Sequence, residues 1–205
     1  MRTSIWIGAA AAAAVAALAI PVAAVPPTGA PAINFKARDA DGTVVELAKL
    51  RGKTVVLEWN NPGCPFVQKH YRSGNMQRTQ QAATRQGVVW LTINSGAPGQ
   101  QGYMTGPEAK QFVSAQKAHP TDYLLDPQGL IGKAYGAKTT PHMYVIDPAG
   151  RLVYQGGIDD KPTADPADIK TARNHVLAAI AELKAGKPVS VSETRPYGCS
   201  VKYAA

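Results

Sequence analysis

The stretch Thr54-Val55-Val56-Leu57-Glu58-Trp59-Asn60-Asn61-Pro62-Gly63-Cys64-Pro65-Phe66 changes character twice within a few residues. Residues 54–59 are β-branched, aromatic and mostly apolar, the composition of a buried strand. Asn60-Asn61-Pro62-Gly63 is a loop signal. Phe66 to Gln86 is polar with spaced apolar positions, which predicts an exposed helix ended by Gly87. Cys64 therefore stands at a helix N-terminus, where the peptide dipole and unpaired N–H groups favour the thiolate. Pro65 suits the first turn, because no N–H is needed there. Lys69, His70 and Arg72 follow within two turns and could lower the thiol pKa further. The arrangement points to a reactive cysteine. An inert buried cysteine, or half of a structural disulfide, is the competing reading of the same residues.

Working outward, Val88 to Ile93 is a second core strand, and Asp39-Ala40-Asp41-Gly42 is a turn before a short strand at Thr43 to Leu47. Asn94 to Gly106 is a Gly/Gln/Pro-rich loop, long enough to be a functional insertion. Thr105 and Glu108 have capping-box spacing, so a helix is expected from about Pro107 to Ala118. A strand at Asp122 to Asp126 and a short helix at Leu130 to Tyr135 follow. Met143 to Asp147 and Leu152 to Gln155 flank a turn and read as a hairpin. Asp165-Pro166 opens a last helix that ends at Gly186. The order β-α-β-α-β, then hairpin and helix, predicts an α/β fold with a mixed sheet and helices on both faces.

The ends carry separate signals. Arg2, the apolar run from Ile5 to Ile20, Pro21 and Val22-Ala23-Ala24 read as a secretory signal cut after Ala24, with an uncleaved anchor as the alternative. The expected organisation is a signal at 1–24, an extended proline-rich lead-in at 25–32, one domain at 33–186 and a C-terminal tail at 187–205 carrying Cys199. A periplasmic or secreted location follows, where disulfides persist. Net charge is +8, but it is spread thinly, so no nucleic-acid partner is expected. No long apolar run occurs after the N-terminus, so no stable membrane insertion is expected once the signal is cut. Two cysteines are too few for a disulfide scaffold or a four-cysteine zinc site. His70, His119, His142 and His175 lack metal-ligand spacing and there is no Gly-rich phosphate loop, so no metal or other cofactor is expected.

The element order, with a cysteine at the end of the first core strand, resembles the thioredoxin fold. Gly136-Ala137-Lys138-Thr139-Thr140-Pro141, the strand after it, Asp147, Gly150, Tyr154 and Gly157 resemble the redoxin branch, the alkyl hydroperoxide reductase and thiol-specific antioxidant group. Asn60 to Tyr71 and the tail Gly198-Cys199-Ser200-Val201-Lys202 are similar to a peroxiredoxin-like subgroup of it, and the likeness runs from about Ala32 to Tyr203. The resemblance implies Cys64 as nucleophile and a cis Pro141 packed against it. It implies Thr140 exposed for strand-like pairing with a substrate peptide. It also implies a buried Glu58 that moves protons to and from a sulfur, against the alternative of a strand-edge Glu facing water. Asn61, Pro65, Thr140 and Pro141 are the candidate substrate contacts. His142 could face the site, although packing is its commoner use.

Two departures qualify this. Thioredoxins pair two cysteines as C-x-x-C, and here the sequence is Cys64-Pro65-Phe66-Val67. Peroxiredoxins carry a proline and a hydroxyl residue seven and three positions before the cysteine, where this chain has Leu57 and Asn61. Cys199 is the candidate to replace the missing partner, by forming a reversible disulfide with Cys64. A permanent structural bridge and an independent free thiol are the alternatives. The expected function is an exported thiol–disulfide oxidoreductase, whose partners are protein or small-molecule thiols and disulfides and an external thiol reductant. The rivals are a slow thiol-dependent peroxidase and a non-catalytic binding protein with a structural disulfide.

Overall fold

The computed structural model describes residues 25–204; the expected signal at 1–24 lies outside the described residues. At its centre lies β3 (Val55–Trp59), whose five residues are all buried. It is covered at both edges, pairing in parallel with β4 (Val89–Asn94) and antiparallel with β7 (His142–Ile146). The sheet order is β2-β1-β5-β4-β3-β7-β8, with β1 (Lys36–Asp39), β2 (Val44–Glu46), β5 (Asp122–Leu125) and β8 (Leu152–Gly156) completing seven strands. The β3–β4–β5 part is parallel and the rest antiparallel, as the mixed-sheet reading requires.

Alternation along β3 divides the core. Val55, Leu57 and Trp59 face one side with Leu91, Ile93, Tyr135 and Tyr144. Val56 faces the other with Trp90, Met143, Val145 and Tyr154. The first side is covered by α4 (Leu130–Tyr135), the second by α1 (Pro65–Arg72), α2 (Asn75–Thr84) and α5 (His175–Lys184). Each fully buried large side chain contributes roughly 1.5–3 kcal/mol by leaving water, so the two layers hold the sheet from both faces. Next to β5, α3 (Gly106–Ala115) begins with the expected capping box: Thr105 N–H and Oγ1 both reach Glu108 Oε2 at 2.7 Å.

Several expectations are corrected. The single helix predicted from Phe66 to Gln86 is two helices, broken at Gly74, which adopts φ +73°. The last helix is likewise interrupted. Pro166–Lys170 is a 3-10 turn, and α5 begins afresh after Asn174, whose side chain accepts from Leu177 N–H at 2.9 Å. β1 is a strand the sequence reading does not include. The lead-in at 25–32 is bonded to β8, with Gly29 N–H donating to Leu152 C=O and Leu152 N–H to Ala30 C=O. The tail folds back along the domain. Gln155 exchanges backbone hydrogen bonds with Ser192 and Thr194, and Ala97 N–H donates to Lys202 C=O at 2.8 Å. Between those anchors, β9 (Cys199–Ser200) pairs antiparallel with β6 (Thr139–Thr140). Among the described residues no helix is long and apolar enough to cross a membrane.

Candidate active site

β3 delivers its chain into the Asn-Asn-Pro-Gly turn, and Cys64 becomes the N-cap of α1 with Pro65 in the first turn. Because β7 pairs with β3 in the register Trp59↔His142, the residues just before β7 arrive beside that turn. The Thr140–Pro141 bond there is cis. Cys64 Sγ lies 3.0 Å from Thr140 C=O, to which the protonated thiol donates. The β6–β9 register places Cys199 opposite Thr140, and its Sγ lies 2.8 Å from Cys64 Sγ, across 135 positions of sequence. The two sulfurs are not bonded to each other. Cys64 is buried, at 1% exposure, while Cys199 is partly exposed.

The two sulfurs differ in acidity. Burial raises the Cys64 pKa, but hydrogen bonds from the Cys199 thiol, the Val67 and Cys199 N–H groups and the Thr140 side chain outweigh it and hold Cys64 below an ordinary thiol. Burial, the hydrogen bond to Cys64 and the Cys64 charge push Cys199 up to about 11. Cys64 is therefore the more acidic sulfur of the pair and Cys199 the less acidic. The cationic neighbours expected to help do not. His70 is buried, which holds its pKa down at about 4, so it is neutral at pH 7. Lys69 is spent on Lys161 C=O at 2.8 Å.

Glu58 is fully buried, which excludes the water-facing alternative. Its Oε1 accepts from the Tyr71 hydroxyl at 2.8 Å and, more weakly, from Asn60 Nδ2 at 3.4 Å. Its Oε2 accepts from the Trp90 indole at 2.8 Å and from Gln80 Nε2 and Thr92 Oγ1 at 3.1 Å. Burial raises its pKa, and the donors from Trp90, Tyr71, Gln80 and Thr92 only partly oppose this. None of these hydrogen bonds reaches Cys64. They tie β3 to β4, α1 and α2, directly behind the turn that carries the cysteine.

The other candidates separate. Pro65 is exposed beside Cys64. Asn61 is buried, and both ends of its amide are taken. Oδ1 accepts from Gly63 N–H at 2.9 Å and Gln101 Nε2 at 3.2 Å, and Nδ2 donates to Gln101 Oε1 at 2.9 Å. The long loop thus clamps the cysteine turn, and Asn61 keeps no free group for a substrate. Thr140 and Pro141 are buried, contrary to the expected open edge, because the chain's own Cys199 already pairs with Thr140. His142 is a packing residue: its Nδ1 lies 3.1 Å from the Tyr144 hydroxyl, and burial lowers its pKa to about 3.

Two further tail residues matter here: Tyr197, which the sequence reading does not single out, and Gly198, which enters it only within the Gly198-Cys199-Ser200-Val201-Lys202 likeness. Tyr197 donates to Asp159 Oδ1 at 2.5 Å and lies 3.3 Å from His70 Nε2, which fixes the tail two residues before Cys199. Gly198 adopts φ +140°, and a Cβ there would collide with Thr140 C=O. Their signal was their closeness to Cys199, but only the pairing of β9 with β6 gives it meaning.

The AhpC/TSA family model matches residues 28–155. Among solved structures, a hypothetical protein from Sinorhizobium meliloti 1021 is 26% identical, with 87% of this chain and 96% of that one covered and a TM-score of 0.72. An uncharacterized conserved protein from Geobacillus kaustophilus is 27% identical over 87% and 93% of the two chains, also with a TM-score of 0.72. The thioredoxin domain of a thiol-disulfide oxidoreductase from Bacteroides vulgatus is similar in fold, at 20% identity over 63% and 87% and a TM-score of 0.51. No curated protein matches.

Proposed function

The chain belongs to the AhpC/TSA family and has the thioredoxin fold, and from that premise we propose that it is an exported thiol–disulfide oxidoreductase working through a reversible Cys64–Cys199 disulfide. The observation that carries this reading is the 2.8 Å approach of the two sulfurs, one more acidic than an ordinary thiol and the other less. The net reaction joins them at the expense of an external disulfide: two protein thiols plus R–S–S–R give the protein disulfide plus two R–SH. Run backwards, two external thiols reduce the bridge and leave as R–S–S–R. Glu58 supports the site by fixing α1 and its turn, and as a buried carboxylate with a raised pKa it is also a candidate for storing a proton. Export is supported by the signal-like sequence at 1–24 and suits a protein whose disulfide must form and persist.

Thiol exchange is preferred over peroxidase chemistry because the Asn61 amide is already engaged by Gln101 and Gly63 and offers no donor to a peroxide. The deciding experiment titrates free thiols before and after one equivalent of hydrogen peroxide or a small disulfide, with peptide mapping. Two thiols should convert to a Cys64–Cys199 bridge that mild thiols reopen. A bridge with a potential below about −300 mV would instead be structural. Sulfenic acid on Cys64 with Cys199 untouched would point to a one-cysteine mechanism.

A further inference from the structure

In thioredoxin-like folds the backbone before the cis-proline is an open strand edge, available to an extended segment of a partner. Here that edge is filled. Thr139 pairs with Ser200 and Thr140 with Cys199, so the tail lies where a partner peptide would lie and presents its cysteine to Cys64. The close crossing depends on Gly198. Its positive φ, and the collision that a Cβ would make with Thr140 C=O, exclude any side chain without moving the strand. The tail also closes over Cys64, which is 1% exposed, and leaves Cys199 as the more exposed residue of the two. Thr139, which pairs with Ser200, and Tyr197 and Gly198, which precede Cys199 in the chain, line a pocket of about 550 Å³ together with Asp159, His175 and Arg195; neither cysteine is part of its lining. That is room for a small molecule.

We propose that the tail strand seated by Gly198 is the resident occupant of the cis-proline edge, so that electrons enter the disulfide at Cys199 and come from low-molecular-weight thiols rather than from cysteines in extended peptides. The inference rests on the reading of Cys64 and Cys199 as a redox couple and adds the entry atom and the substrate class. An external thiolate R–S⁻ attacks Cys199 Sγ, forms R–S–S–Cys199 and releases Cys64 as thiolate. A second R–S⁻ attacks the sulfur of R, giving R–S–S–R and the Cys199 thiolate, which takes a proton from water. In the reverse direction Cys64 is the nucleophile of the internal step, attacking Cys199 Sγ in the mixed disulfide and expelling R–S⁻.

The test uses the oxidised protein from which residues 1–24 have been removed. Its rate of reduction is measured with 2-mercaptoethanol and with a cysteine-containing hexapeptide, both corrected for thiolate fraction. Early adducts are trapped in acid and mapped by mass. The small thiol should react at least about tenfold faster, with the adduct on Cys199, because access governs the rate. In Gly198→Ala the strand should be pushed off its seat and adducts on Cys64 should appear. Equal rates in the wild type, or a wild-type adduct on Cys64, would overturn the inference while leaving the redox couple standing. Failure of any bridge to form on oxidation would remove the couple itself, and the inference with it. If Gly198→Ala does not fold, the wild-type rates and adduct positions still decide.

Discussion

Replacing Glu58 by Gln tests how the centre of the sheet is held. The carboxylate receives four donors at 2.8–3.1 Å, from Tyr71, Trp90, Gln80 and Thr92. Gln keeps the shape but has only one acceptor oxygen. With that oxygen at the Oε2 position the Trp90, Gln80 and Thr92 bonds survive. The new NH₂ then faces Tyr71, whose hydroxyl loses its acceptor, and a buried unmet hydroxyl costs about 1–3 kcal/mol. Removal of a buried charge acts in the other direction, and pH separates the two. Because burial raises the Glu58 pKa, the folded protein holds this proton more tightly than the unfolded chain does. The stability it contributes is complete below the unfolded value of about 4.3. It is lost as pH rises through the folded value, at up to about 1.4 kcal/mol per pH unit. The amide variant has no such dependence. Urea midpoints of both reduced proteins, measured from about pH 4 to about pH 8, should therefore show the wild type losing ground to Glu58→Gln as pH rises. A constant difference, or a wild type that gains ground, would mean that the donors outweigh burial and that the reasoning is wrong.

Joining Cys64 to Cys199 closes a loop of 135 residues. In the chain-entropy model that stabilises the fold by about 5 kcal/mol, or about 10–20 °C in Tm for a domain of this size, with an observed value below this expected if the reduced chain keeps residual structure. Calorimetry with and without reductant should show the increase in the wild type and none in Cys199→Ser; equal melting of the two wild-type states would count against the bridge. With the Cys199 thiol pushed up to about 11, oxidation of the reduced protein by a small disulfide should accelerate about tenfold per pH unit between about pH 7 and about pH 10. A plateau reached below about pH 9 would identify a more acidic thiol as the first attacker. Tyr197→Phe removes a donor to Asp159 Oδ1 and should cost about 1–3 kcal/mol in a urea titration while making Cys64 easier to alkylate. Unchanged alkylation would show that this contact does not hold the tail.

The sequence made the centre of this fold legible and its edges much less so. β3 and β4 are buried on both faces, and such strands appear as unbroken apolar runs. By contrast, Lys36-Ala37-Arg38-Asp39 alternates exposed and buried residues over only four positions, too few for a period to stand out. The break at Gly74 is marked only by Ser73-Gly74-Asn75, a short turn signal that is easily passed over because α1 and α2 continue the same polar pattern on both sides of it. Cys64 could be found because strand, loop and helix signals converge on it. The state of Glu58 could not be decided locally: a carboxylate in an apolar strand is compatible with an edge or with a core, and only pairing with β4 and β7 on both sides resolves the choice. Likewise, Cys199-Ser200 forms a two-residue strand, which has no pattern to read until Thr139 and Thr140 are beside it.

The remoteness of Cys199 has a physical consequence for the site. In C-x-x-C the second sulfur is held by a single helical turn. Here it is held by the tail: Ser192 and Thr194 on the β8 edge, Tyr197 on Asp159, β9 on β6, Lys202 on Ala97, and Tyr203 Oη on Ala137 C=O. Together these contacts set the effective concentration of one thiol at the other, and hence how strongly a bridge formed between them would resist reduction. Pairing at Thr140 by a partner peptide would require β9 to leave, and β9 cannot leave without taking Cys199 away from Cys64. Peptide capture at this edge and resolution by Cys199 are therefore mutually exclusive states of one strand. The resting arrangement, with Gly198 fitted against Thr140 C=O, is the one that keeps the two sulfurs together.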